Sequence, residues 1–143
     1  MSTLERAIAI AAQAHAGQLD KGGQPYILHP LRVMLRCSTP DEQIAAVLHD
    51  VIEDSEVNLD DLAAEGFSNT VVAAVDALTK RPGETRIQAA HRAAAHPVAK
   101  TVKLPYNADN TDLTRIQHRT DKDRKRMEDY IVVRQILLGG QAA

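Results

Sequence analysis

The run Ala45 to Asp54, Ala-Ala-Val-Leu-His-Asp-Val-Ile-Glu-Asp, commits the middle of the chain to a helix that is apolar on approach and chemically loaded at its end. Residues four apart share a helix face, so His49 is expected over Glu53 and Asp50 over Asp54. That collects one nitrogen ligand and three carboxylates at one place. A His and an Asp there can hold a divalent cation while the acids one turn later position or deprotonate a water. Two acids at a helix C-terminus are otherwise unfavourable, because the macrodipole leaves negative partial charge there. The competing reading of Glu53 and Asp54 is an ordinary solvated face.

The core around such a helix is constrained by what the chain lacks. It has one Phe, three Tyr and no Trp, yet its hydrophobic content is 44%. Alanine and the aliphatics must therefore fill the interior, which suits close helix packing. An all-α fold is expected, as one compact bundle of about six to eight helices spanning residues 1–143. Cys37 is the single cysteine, so an internal disulfide is impossible and a reducing, cytoplasmic setting is expected. Glu5 and Arg6 interrupt the first apolar stretch, and no run approaches the ~18 residues of a membrane span. A formal charge of −2 argues against a dedicated nucleic-acid binder.

Helix signals punctuate the chain. Leu4, Ile8, Ala11 and His15 recur at helical spacing between a Thr3 N-cap and Gly17. Gly17 to Leu28 reads as a loop, and Pro30 suits the first turn of a helix over Leu31 to Arg36, with His29 at its entrance. Pro40 and Asp41 start the motif helix, which Ser55 to Asn58 terminates. Asn58 caps a short helix ending at Gly66, and Ser68 opens another through Leu78. Arg81-Pro82-Gly83 is a turn, Glu84 to Ala95 and Val98 to Leu104 are helical, and Pro105 is expected to interrupt or kink the chain. A last helix runs from about Lys122 to Leu138 before Gly139-Gly140.

Taken in order, His15-Ala-Gly-Gln18, Gln24-Pro-Tyr-Ile-Leu-His29-Pro30, Leu48-His-Asp-Val-Ile-Glu-Asp54, Val102-Lys-Leu104 and Asn110 resemble the HD-domain metal-dependent phosphohydrolases. Within them the chain is most similar to the alarmone hydrolase domain of Rel/Spo enzymes and its stand-alone relatives. The resemblance covers nearly the whole chain. It implies His29, His49 and Asp50 as ligands of a divalent ion, commonly manganese, and Glu53 and Asp54 as the pair that orients or activates the attacking water. It implies substrate contacts from Lys21, Asn110, Arg126 and Tyr130. The implied activity is hydrolysis of a nucleotide pyrophosphate, with guanosine 3′,5′-bispyrophosphate as best single guess.

Two positions depart from the family pattern. Where the family reads Val-Lys-Leu-Ala-Asp, this chain reads Val102-Lys-Leu-Pro-Tyr106, so Tyr106 stands in place of the fourth ligand, an Asp. A neutral phenol is a poor ligand for a hard divalent ion, so low metal occupancy is expected unless Asp109, three residues on, substitutes. The family's Arg two residues after the loop Gln is Asp20 here, followed by Lys21. The rival function is a catalytically weakened HD domain that binds a nucleotide or a partner. A purely structural helical protein leaves the matching motifs unexplained. His15 reads by default as a hydrogen-bonded core histidine, Lys103 as either facing the site or snorkelling, and the basic stretch Arg115, Arg119, Lys122, Arg124, Lys125, Arg126 as a solvated helix start.

Overall fold

The structure, a computed structural model, describes residues 2–111 and 121–139. Among these the regular structure is entirely helical. Arg115, Arg119 and His118 lie outside the described residues. Local capping chemistry sets most boundaries. Helix α1 (Leu4–Ala14) begins where the Thr3 hydroxyl accepts the Arg6 N–H at 3.1 Å. Helix α3 (Pro40–Leu48) begins at a capping box in which Thr39 and Glu42 satisfy each other's backbone donors. Asn58 with Asp61 does the same for α5 (Leu59–Ala64), and Thr85 with Gln88 for α7 (Arg86–Ala94). Ser68 caps α6 (Asn69–Leu78). Each cap supplies a partner to an N–H that has none within its own helix.

Three boundaries differ from the sequence-based expectation, each for a local reason. Helix α2 (Leu28–Leu35) starts three residues early, so His29 and Pro30 both lie in its first turn, where the missing proline N–H costs no helical bond. Helix α8 (Pro97–Asn110) continues through Pro105; the residue forfeits one interior hydrogen bond and does not end the helix. The motif helix is split into α3 and α4 (Val51–Asp54). There the His49 Nδ1–H donates to the Ala46 carbonyl, the acceptor that a continuous helix would give to the Asp50 N–H. The split raises the helical segments among the described residues to nine, counting α9 (Asp121–Leu137).

Helix α3 forms the axis of the bundle. Ile44 through Leu48 are all buried, and α1, α2, α6 and α8 pack around them. Ala45 and Ala46, fully enclosed, let these neighbours approach closely, as an Ala-rich, aromatic-poor composition requires. A second small cluster, Ala90, Val133 and Leu137, fastens α7 to α9. No described helix is long and apolar enough to cross a membrane.

The α6–α7 connection is tied by Arg92. Its guanidinium donates to both Glu84 carboxylate oxygens at 2.8 and 2.9 Å and to the carbonyls of Asp76 and Thr79 at 3.1 and 2.7 Å. These bonds, with the Arg81 N–H, pull the Glu84 carboxyl down to about 2. A depressed native pKa gives stability that is present above the unfolded value near ~4.5 and is lost as pH falls toward the native one. Arg92→Ala is expected to lower unfolding free energy by about 2–3 kcal/mol at neutral pH. In urea denaturation it should also flatten the loss of stability between pH 4.5 and 2.

Candidate metal centre

Three buried side chains converge where α2, the α3–α4 break and the loop before α2 meet. His29, His49 and Asp50 are 3%, 0% and 3% exposed, and one ligand atom from each lies within 4.8 Å of the other two. The helix break aims two of them. His49 Nδ1 is fixed on the Ala46 carbonyl, which turns Nε2 toward Asp50 Oδ2 at 2.9 Å. His29 Nδ1 donates to Asp109 Oδ2 at 2.5 Å, which turns its Nε2 toward Asp50 Oδ2 at 3.7 Å. Both Nε2 atoms are buried without a hydrogen-bond partner among the described residues. Two unsatisfied imidazole nitrogens facing one carboxylate are costly unless a cation joins them. The donor set fits a divalent transition-type ion.

The electrostatics favour the ligating forms. Burial lowers the His29 pKa against the opposing pull of Asp109, which keeps the imidazole neutral with a lone pair available. Burial would raise the Asp50 carboxyl, but His49, His29 and the Tyr26 hydroxyl outweigh it and hold the group ionised, well below the usual carboxylate range. The Tyr26 hydroxyl donates to Asp50 Oδ2 at 2.5 Å. Tyr26 itself was not singled out from sequence as a site residue, although it lies three residues before His29 in a matching motif.

The loop between α1 and α2 is a short hairpin that delivers Tyr26. Leu19 pairs with Pro25, and the Asp20 carboxylate accepts the Gly22 and Gln24 N–H groups at 2.8 and 2.9 Å. The same loop reaches the acids of α4. Gln18 accepts from His15 Nδ1 at 2.9 Å and donates to Asp54 at 3.3 Å. His15 is thus buried and hydrogen-bonded through Nδ1 as its apolar stripe suggested, and it also braces Asp54. Glu53 accepts the Lys80 N–H at 2.5 Å, and burial raises its pKa.

Tyr106 and Asp109, the residue weighed as its substitute, stand on different sides of His29. The Tyr106 ring stands edge-on to His29 and His49, with centroids 5.1 and 4.5 Å away. Burial, followed by the nearby Asp50 charge, raises its pKa, so the phenol stays protonated. Asn110, at the end of α8, opposes this rise. Asp109, weighed from sequence as a substitute ligand, instead engages His29 Nδ1 and accepts from Arg32 at 2.6 and 3.0 Å. Its carboxylate is behind the imidazole, where it orients the ring. Lys103 stacks its ammonium 3.9 Å from the Tyr106 centroid, facing inward and not snorkelling to solvent.

The remaining expected residues line two cavities, Tyr130 in one and Lys21 and Arg126 in the other. Tyr130 is buried, under the Arg86 guanidinium at 5.6 Å, and with Glu53, Lys80, Lys103, Tyr106 and Asn107 it lines a cavity of about 210 Å³. Lys21 and Arg126 both pair with the buried carboxylate of Asp123, at 3.4 and 2.6 Å.

An aspartate that grips a histidine from behind fixes the ring's direction, and losing such a partner typically costs 10–100-fold in metal affinity. Asp109→Asn is therefore expected to weaken manganese binding about tenfold or more by calorimetric titration. Unchanged affinity would mean that packing alone aims His29.

Comparisons with known proteins bear on the family and the fold. The sequence profile of the HD domain matches residues 7–140. A GTP pyrophosphokinase of Streptomyces coelicolor is 41% identical over 81 residues, 54% of this chain and 9% of that protein. A guanosine-3′,5′-bis(diphosphate) 3′-pyrophosphohydrolase of Vibrio cholerae is 38% identical over 84 residues, 56% of this chain and 12% of that protein. The chain thus spans only about a tenth of the length of these relatives. A solved structure of a metazoan SpoT ortholog, described as hydrolysing ppGpp, superposes with a TM-score of 0.84 at 23% identity, covering 99% of this chain and 89% of that one. At that identity it bears on the fold.

Proposed function

Because the chain belongs to the HD-domain family, we propose that it is a metal-dependent phosphohydrolase acting on a nucleotide pyrophosphate. Guanosine 3′,5′-bispyrophosphate is the favoured substrate, losing its 3′-linked pyrophosphate to water. The observation that carries this reading is the convergence of the two unsatisfied Nε2 atoms on Asp50, with Tyr106 standing between them and a cavity lined by Lys103, Arg86 and Glu53. The reading includes manganese as the ion, His29, His49 and Asp50 as its holders, and a cytoplasmic setting.

When bound, a divalent ion supplies Lewis acidity toward phosphate oxygens and lowers the pKa of water. The protein's own groups do the rest. Glu53 and Asp54 stand one turn beyond the cluster, and the raised pKa of Glu53 suits it to accept a proton from the attacking water. Gln18 and His15 hold Asp54 in place. Lys103 and Arg86 offset the charge of the phosphate under attack, whose bond to the ribose 3′ oxygen breaks as the water oxygen adds to phosphorus. Tyr130, Asn110 and Arg126 contribute to holding the nucleotide.

In an active protein, Glu53→Gln and Asp54→Asn are each expected to lower kcat by about 10²-fold or more, with little change in Tm. The measurement is pyrophosphate release beside thermal unfolding. Unchanged turnover in both variants would return these acids to a solvated face.

Tyr106 favours a second reading, a domain that binds nucleotide with little turnover. Its neutral ring fills the place where an anionic ligand would strengthen the hold on a cation. Tyr106→Asp is expected to raise manganese affinity and hydrolysis together, each by tenfold or more, or about 1.4 kcal/mol. Full metal occupancy with fast hydrolysis in the unaltered chain would dismiss this second reading. Tight nucleotide binding with no pyrophosphate released would favour it.

A further inference from the structure

Lys103 and Asn107 are four residues apart on α8 and so share one of its faces. Both line the cavity of about 210 Å³ that Glu53, Lys80, Arg86 and Tyr130 help to close. Among the described residues, Lys80, Arg86 and Lys103 set three cations against the carboxylate of Glu53. The lining therefore favours an anion. Lys103 and Arg86 already have a task there, offsetting the charge of the phosphate under attack. Asn107 has none.

The Asn107 amide is held in one orientation. Its Nδ2 donates to the Tyr130 carbonyl of α9 at 2.9 Å, a bond that only the NH2 side of an amide can make. The other side, Oδ1, is buried with no donor among the described residues, in a residue only 2% exposed. An acceptor left unpaired inside a protein is costly. The cavity thus sets a buried, unsatisfied acceptor one helical turn from an ammonium suited to anionic oxygen.

A ligand that satisfies both must carry an anionic oxygen with a neutral hydrogen-bond donor beside it. A fully ionised phosphate or a carboxylate alone would leave Oδ1 facing a further acceptor. A ribonucleoside 3′-phosphate has the required pair, because its 2′-hydroxyl and its 3′-linked phosphate sit on neighbouring ring carbons. We propose that Asn107 Oδ1 accepts the ribose 2′-hydroxyl of the bound nucleotide, and that Asn107 thereby makes the site select ribonucleotides over 2′-deoxyribonucleotides. The proposal rests on the nucleotide-pyrophosphate reading above. A site built to hydrogen-bond a hydroxyl rejects the analogue that lacks it, since the buried partner is then left unpaired.

The test compares guanosine 3′,5′-bispyrophosphate with its 2′-deoxy counterpart. In the unaltered protein the ribose form is expected to have a kcat/KM about tenfold or more higher. In Asn107→Leu, which keeps the bulk without the acceptor, the ratio should fall to near one. The ratio is read within each protein, so a general loss of activity from the missing Tyr130 bond does not enter it. Asn107→Ala serves if the leucine variant does not fold, as checked by circular dichroism. A ratio near one in the unaltered protein, or an unchanged ratio in the folded variant, overturns the proposal. If neither nucleotide is hydrolysed, the hydrolase reading fails, and Asn107 is tested separately by calorimetric titration with guanosine 3′-monophosphate and 2′-deoxyguanosine 3′-monophosphate without added metal. Tighter binding of the ribose form that the variant abolishes supports the proposal; equal binding of the two, or binding of neither, overturns it.

Discussion

Everything at the centre of this fold is arranged around one buried carboxylate. Asp50 sits 3% exposed beside a core of alanine and aliphatic side chains, where an isolated charge would be prohibitively costly. It stays ionised because His49, His29 and Tyr26 surround it. Those three come from the helix break, the first turn of α2 and the hairpin loop. The need to compensate one charge therefore explains why three otherwise independent segments meet at this point. A second layer repeats the logic, with Arg32 and Asp109 behind His29. There Arg32 answers the charge of Asp109, and the neutral His29 stands between the two carboxylates.

Much of this was legible in the sequence, and the exceptions are informative. The scarcity of aromatics and the helical spacing of apolar residues gave an all-helical reading, which the structure matches. Thr3, Asn58 and Ser68 announced their helices because capping is a local interaction between near neighbours. His29, His49 and Asp50 were marked by matching motifs, and the structure brings them together. The helix break was not legible, because it depends on the His49 ring reaching the Ala46 carbonyl, and spacing alone assumes a continuous ladder. The same limit hid Tyr26, Arg86 and the true partner of Asp109. Each of those acts through a tertiary contact to a residue more than 20 positions away, for which periodicity carries no signal.

Substitution at the fourth ligand position had an orderly structural answer. The Tyr106 ring takes the space beside both imidazoles, and Lys103 covers its outer face. An aromatic ring attracts a cation through its quadrupole and presents an apolar edge to its neighbours. The position thus carries a neutral ring where the family pattern has a negative charge.

The break between α3 and α4 has a mechanical meaning beyond its hydrogen bond. Because His49 closes α3 and Asp50 opens α4, the two groups belong to different rigid pieces joined at a single residue with φ −102° and ψ −1°. Core packing along α3 governs where the imidazole lies. The acids Glu53 and Asp54 belong to the other piece, where the Lys80 N–H and the Gln18 side chain hold them. The pocket is in effect two jaws about one joint. The loop side sets where the acids lie, and the core, which Val51 of α4 also enters, sets where the imidazole lies.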